Sequence, residues 1–218
     1  MTTWITGATG LLGTAILRNI PTNKEAIALA RNIPKSSHDA TASFFSIDIS
    51  KLTDLQHLAK TTPPRFILHA AAMTNVDQCE DNPQLAEQIN VVGTKNMAQI
   101  AAEYNSRLIY ISTDSVFDGI SGNYTETDAT NPLNTYAKTK YQGECEALAQ
   151  HRNTLIIRTN FFGRGGVGKI DLATWFIQQL STKQTVNGFD DVYFSPIVSD
   201  ILANLILKLG ALDLTGVL

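Results

Sequence analysis

Six short apolar runs interleaved with longer stretches of helical periodicity constrain this chain more than any other feature of its sequence. The runs are TWIT (3–6), EAIALA (25–30), SFFSI (43–47), RFILHA (65–70), RLIYIS (107–112) and TLIIRT (154–159). The stretches between them are LLGTAILRNI (11–20), KLTDLQHLAK (51–60), QLAEQINVVGTKNMAQIAAEY (84–104) and the segment from Asn134 to His151. Short apolar runs read as strands, and apolar residues at three- and four-residue spacing read as helices. Strand followed by helix, repeated, predicts a doubly wound parallel sheet with helices on both faces, an α/β Rossmann-like fold. The 218 residues suit one such unit with a sizeable core. With 44% hydrophobic residues and a net charge of −3, the composition argues against a disordered chain and against a nucleic-acid surface.

After Thr159 the rhythm loosens. NFFGRGGVGK (160–169) reads as a glycine-rich turn, IDLATWFIQQL (170–180) and SDILANLILKL (199–209) as helices, and the final LTGVL as the start of a strand. The expected organisation is a dinucleotide-binding domain over 1–160 and a small substrate lobe over 161–218, interleaved with the main sheet and truncated at its end. Cys79 and Cys145 belong to no Cys/His metal spacing or disulfide framework. No stretch reaches the roughly 18 apolar residues of a membrane span, so no membrane partner is expected, and the two unpaired cysteines fit a reducing, cytoplasmic setting. His38, His57, His69 and His151 are dispersed, and no metal site is expected. Ser112 and Ser115 lack a nucleophile elbow, which sets a hydrolase aside.

TWITGATGLLG places Gly7, Gly10 and Gly13 directly after the first strand and at the mouth of the first helix. Glycines there let the backbone turn sharply and approach a pyrophosphate, while helix N–H groups and the dipole favour its charge. The expected cradle is Gly7, Thr9, Gly10, Leu11, Leu12 and Gly13. Where an NAD-selective protein often carries an acid after the second strand, this chain has Arg31. A guanidinium there can pair with a 2′-phosphate, which favours NADP and leaves NAD open; the alternative is a solvated surface arginine. Asp48, with Ile49 beside it, ends the third run and is expected either at the adenine or in the cap region of helix 51–60.

NPLNTYAKTKYQGE (131–144) sets Tyr136 four residues before Lys140 near a helix start marked by Pro132 and Asn134. Residues i and i+4 share a helix face, so the ammonium is expected to lower the phenol towards use as a proton donor or acceptor. Upstream, YISTDSVFDG (110–119) puts Ser112, Thr113 and Asp114 at the carboxyl end of a strand, where open α/β sheets bind ligands. A hydroxyl there can hydrogen-bond a substrate carbonyl and its developing charge.

Taken together, TGATGLLG (6–13), HAAAMTNVDQCE (69–80), INVVGTKN (89–96), STDSVFDG (112–119), ETDATNPLNTYAKTKYQGE (126–144) and IIRTNFFG (156–163) resemble the extended short-chain dehydrogenase/reductase superfamily. Within it they resemble the dTDP-4-dehydrorhamnose reductase group. The resemblance implies an NAD(P)H-dependent reductase of a 4-keto nucleotide sugar, with a homodimer possible. Tyr136 would be the general acid, Lys140 its electrostatic partner and a ligand of the nicotinamide ribose, and Thr113 the group holding the carbonyl. Ala70, Ala71 and Ala72 would form the wall beside the cofactor. Thr74, Val76 and Asp77 would line the nicotinamide and substrate, Asp114 and Ser115 the substrate, and Asn90 would support the site from below. Ser115 stands where the group usually has an aromatic residue, and NGFDDVYFSPI (187–197) matches the group's substrate loop only loosely. Two other readings remain open. One is an epimerase of the same superfamily; a dehydratase is disfavoured because Asp114 is followed by Ser115 and not by a second acid. The other is a non-catalytic NADP-binding subunit resembling the regulatory β subunit of methionine adenosyltransferase.

Overall fold

The computed structural model describes residues 2–22, 25–33, 42–163, 172–188 and 190–218; most of the glycine-rich turn expected over 160–169, and His38, lie outside them. The strands are β1 (Thr3–Thr6), β2 (Ala26–Ala30), β3 (Ala42–Ser46), β4 (Phe66–His69), β5 (Arg107–Ser112), β6 (Thr154–Arg158), β7 (Asn160–Phe162), β8 (Pro196–Val198) and β9 (Gly216–Val217). The helices are α1 (Leu11–Asn19), α2 (Leu52–Thr61), α3 (Val76–Asp81), α4 (Pro83–Glu87), α5 (Gly93–Glu103), α6 (Thr135–Gln150), α7 (Leu172–Ser181) and α8 (Ser199–Leu209).

Seven strands form one sheet in the order β3-β2-β1-β4-β5-β6-β9, and every neighbouring pair is parallel. The chain winds outward from β1 to β3, then returns to lay β4 on the other side of β1. That reversal opens a crevice at the carboxyl ends of β1 and β4, the usual ligand position in such sheets. The strands read as unbroken apolar runs because both faces are covered. Alternate residues serve opposite layers: Ile5, Ala28, Leu68 and Ile109 pack towards α1 and α8, while Trp4, Ile27, Ile67 and Leu108 pack towards α2 and α5.

Three features depart from the sequence reading. The long periodic stretch 84–104 is α4 and α5 joined by a π turn, Gln88–Val92, which widens the helix around Asn90; such turns concentrate at functional sites. The stretch 76–81 forms α3, capped by the Asn75 side chain accepting from the Gln78 amide at 2.8 Å. A helix of six residues is too short for periodicity to reveal. Finally, β7 and β8 form a separate two-stranded sheet. Beyond it α8 buries Leu202, Ala203 and Ile206 in the layer shared with α1, and the terminal run adds β9 to β6, with the Leu218 amide donating to Ile156 O at 2.9 Å.

Candidate active site

The first part of the site is made of backbone. Gly7 has φ +65°, and a Cβ there would lie 2.8 Å from Ala70 O. At Gly13 a Cβ would sit 2.2 Å from Gly7 O, so helix and turn touch only because no side chain intervenes. The Gly10 amide donates to Gly7 O at 2.8 Å, and Gly10 caps α1 without a side-chain bond. The first-turn amides of Leu11, Leu12 and Gly13 have no partner inside the helix, and no acid stands in that turn. The Leu12 side chain is core, whereas Thr9 and Leu11 are half-buried. A bare concave backbone at a helix N-terminus suits a pyrophosphate.

At the other end of the cradle, Arg31 is exposed just after β2, and its carbonyl accepts from Ser46 Oγ at 2.9 Å. Asp48 Oδ1 accepts from the Ser50 amide at 3.0 Å and from its hydroxyl at 2.8 Å. Burial pushes this carboxyl up, but the Ser50 bonds and the Arg31 and Lys51 charges outweigh it and hold it below the usual range. Asp48 therefore shapes the turn into α2. Ile49 is buried against the bare Gly93 position, and its carbonyl takes Asn96 Nδ2 at 2.9 Å.

Beyond β4 the chain runs through Ala70, Ala71 and Ala72, all half-buried, to exposed Thr74. Asn90 clamps this loop through both sides of one residue: its Oδ1 accepts from the Met73 amide at 2.8 Å and its Nδ2 donates to Met73 O at 3.1 Å. The same Nδ2 donates to Thr139 Oγ1 on α6 at 3.0 Å. Beneath the loop His69 is wholly buried, with Nδ1 2.7 Å from Thr6 Oγ1 and Nε2 3.0 Å from Thr94 Oγ1. Burial, helped by the Lys140 charge, pulls His69 down to about 3, so the ring is neutral. Val76 and Asp77 lie exposed on α3.

The second part of the site is made of side chains. Thr113 and Lys140 are buried and Tyr136 is half-buried. The Asn134 side chain caps α6, accepting from the Ala137 amide at 2.8 Å. Glu80 reaches across from α3 to take the Thr135 amide at 2.7 Å and its hydroxyl at 2.8 Å. Tyr136 is thereby fixed in the first turn, where its phenol lies near Thr113 and Asp114. Thr113 Oγ1 also lies 3.3 Å from Asp114 Oδ1 and accepts from the Ser115 amide at 3.2 Å. Thr113, Asp114, Ser115 and Tyr136 thus form one cluster.

Lys140 departs from the expected pairing. Its Nζ donates to Ile111 O at 2.7 Å and lies 4.0 Å above the Tyr110 ring. Burial lowers it to about 7 against the upward pull of Glu144. Tyr136 is raised, not lowered: burial dominates, the nearby Thr113 hydroxyl works the other way, and Asp114 and Cys79 add to the rise. The phenol is protonated at neutral pH, the form that donates a proton to a reduced carbonyl.

Glu80, His69, Glu144 and Arg158 carry no motif logic of their own, and reading the sequence assigned them no part in the site. All four nonetheless fall within stretches that carry the resemblance, His69 and Glu80 at the two ends of HAAAMTNVDQCE, Glu144 at the end of TYAKTKYQGE and Arg158 in IIRT, a signal that could have found them.

A parallel sheet reversing at β1 and β4, a glycine cradle after the first strand and a threonine–tyrosine cluster at the carboxyl end of β5 are the architecture of an extended short-chain dehydrogenase/reductase. The chain belongs to the RmlD substrate binding domain family, whose profile matches residues 1–214. It is 36% identical over 157 residues to methionine adenosyltransferase 2 subunit beta of Bos taurus, covering 71% of this chain and 45% of that one. It is 35% identical over 164 residues to a dTDP-4-dehydrorhamnose reductase of Aggregatibacter actinomycetemcomitans, covering 74% and 52%. The crystal structure of a dTDP-4-dehydrorhamnose reductase from Bacillus anthracis in complex with NADP superimposes with a TM-score of 0.84 at 28% identity, covering 99% of this chain and 72% of that one. The chain spans about half the length of the curated relatives it matches.

Proposed function

We propose that this protein is an NADPH-dependent reductase of a 4-keto nucleotide sugar, acting as the dTDP-4-dehydrorhamnose reductases do. The observation that carries the reading is the grouping of Thr113, Asp114 and a protonated Tyr136 at the carboxyl end of β5, two strands from the glycine cradle. Similarity to the reductases, one of them an NADP complex, supports it. In this reading Gly7, Thr9, Gly10, Leu11, Leu12 and Gly13 hold the pyrophosphate, Arg31 the 2′-phosphate, and Asp48 and Ile49 the adenosine end. Ala70, Ala71, Ala72 and Thr74 flank the nicotinamide, which when bound supplies hydride to the carbonyl carbon.

The chain's own residues do the rest. Thr113 donates to the substrate oxygen and steadies the charge that grows on it, and Tyr136 delivers the proton. Lys140, held between Ile111 O and the Tyr110 face, places a cationic or polar head beside the ribose. Thr74, Val76, Asp77, Asp114 and Ser115 form the substrate side. NADH is the alternative cofactor.

NADPH oxidation with dTDP-4-dehydrorhamnose and a panel of other 4-keto nucleotide sugars tests the reading, and turnover of at least one is expected. Tight NADPH binding with no oxidation across the panel would instead favour a non-catalytic subunit, the reading that the similarity to the methionine adenosyltransferase subunit supports.

A further inference from the structure

Glu144 and Arg158 form the most enclosed ion pair among the described residues, with 3% and 10% of their side chains exposed. Both carboxylate oxygens are used. Oε1 takes Arg158 Nε at 3.1 Å and the Ser112 hydroxyl, while Oε2 takes Arg158 Nη2 at 2.7 Å. Ser112 immediately precedes Thr113, and Glu144 lies one helical turn beyond Lys140. The pair therefore joins the strand that presents the carbonyl-binding hydroxyl to the helix that presents the proton donor.

The guanidinium reaches a third element. Its Nη1 lies 3.5 Å from Glu126 O, and its carbon sits 5.2 Å from the Phe117 ring centroid. Phe117 and Glu126 belong to the loop between Thr113 and α6, which is folded on itself. Phe117 stacks on Tyr124 at 4.6 Å, Asp118 accepts from the Tyr124 hydroxyl and from Asn131 Nδ2, and the Asn131 amide donates to Val116 O at 2.9 Å. We propose that the Glu144–Arg158 pair is a positioning device for the reaction: it sets Thr113 against Tyr136 and latches the 117–131 loop beside them.

Energetics separate this role from plain stabilisation. A buried ion pair contributes little net stability over well-packed apolar residues of similar size, because desolvating two charges offsets their attraction. Removing one partner strands the other charge and destabilises strongly, so single variants confuse folding with positioning. Replacing both removes the geometry and strands neither member of the pair.

The proposal rests on the reductase reading for its kinetic part and stands on amide exchange for its structural part. The test compares the full chain with the Glu144→Leu/Arg158→Met double variant and with Arg158→Lys, which keeps the charge and loses the fork. For the double variant we expect a thermal midpoint near that of the parent, NADPH affinity within about twofold, and kcat lower by about 10- to 100-fold, as expected for a misplaced reacting group. Exchange at the Ser115 amide, bonded to Thr113 Oγ1, and across 117–131 should rise at least tenfold while β1 and β4 stay protected. Arg158→Lys should fall between the two. Full kcat in a folded double variant, or unchanged exchange at Ser115 and 117–131, overturns the proposal. If the parent chain turns over no keto sugar, the reductase reading has failed, and exchange at Ser115 alone decides the positioning.

Discussion

The glycine cradle and the Thr113–Tyr136 corner lie two strands apart on the same edge of the sheet and are built on opposite principles. The cradle works by omission: at Gly7 and Gly13 an added methyl group would collide with backbone, and what remains is a row of unpartnered helix amides. The corner works by accumulation. Thr113 follows β5 and Tyr136 and Lys140 come from α6; Asn134, Ser112 and Glu144 on those elements, with Glu80 from α3 and Arg158 from β6, hold them in place. A site made of backbone is set by local residue choice, whereas a site made of buried side chains depends on partners far away in sequence. The two should fail differently.

The largest expected failure is at the corner. Tyr136→Phe should lower turnover by on the order of 10²–10⁴, the range for losing a general acid, with NADPH affinity nearly unchanged. A titration of cofactor fluorescence beside the steady-state rate reads both, and a variant that keeps its rate removes Tyr136 from the mechanism.

Between the two regions lies His69, bonded to Thr6 below the cradle and to Thr94 on α5. Its folded value of about 3 lies under the ordinary 6.5. The unfolded chain therefore binds a proton that the folded chain refuses, and the stability contributed above pH 6.5 drains away as pH falls towards 3. The loss is on the order of 5 kcal/mol for one histidine moved this far. Urea unfolding at a series of pH values should show a shallower acid limb for His69→Gln than for the parent. Parallel limbs would show that His69 is not the group responsible.

At the cradle Gly13→Ala forces a Cβ to 2.2 Å from Gly7 O, an overpacking of about 1–3 kcal/mol. NADPH affinity should drop by about 10- to 100-fold, with turnover at saturating cofactor changed by less. If turnover falls as far as affinity, the two regions are not separable as described. The smallest effect is expected from Arg31→Ala, about tenfold in affinity for NADPH and none for NADH, in keeping with one exposed charge–phosphate contact. Equal weakening of both cofactors would remove Arg31 from the 2′-phosphate.

The same contrast explains how much could be read in advance. β1 and β5 fall on the residues that their apolar runs mark, and α1, α6 and α8 lie within a residue or two of the predicted spans, because two-sided burial and helical periodicity are written into consecutive residues. Thr113 and Tyr136 were legible as a pair only through their joint motif, and the structure brings them together. The direction of the tyrosine's titration was not legible. Helical spacing places Lys140 on the same face as Tyr136, but it says nothing of Ile111 O or the Tyr110 ring, which draw the ammonium away. Nor could spacing reveal α3, which is shorter than two turns, or the π turn at Asn90, which interrupts an otherwise regular repeat.

By itself the sequence determined the parallel sheet and the glycine turn after its first strand, and it marked the side chains proposed to react, since strands, turns and helix faces follow from residues adjacent or one helical turn apart. Only the tertiary structure decided how those side chains titrate and what holds them. Desolvation and buried pairing, as in Glu144 with Arg158 or His69 with Thr6 and Thr94, arise from residues that meet only after the chain has folded.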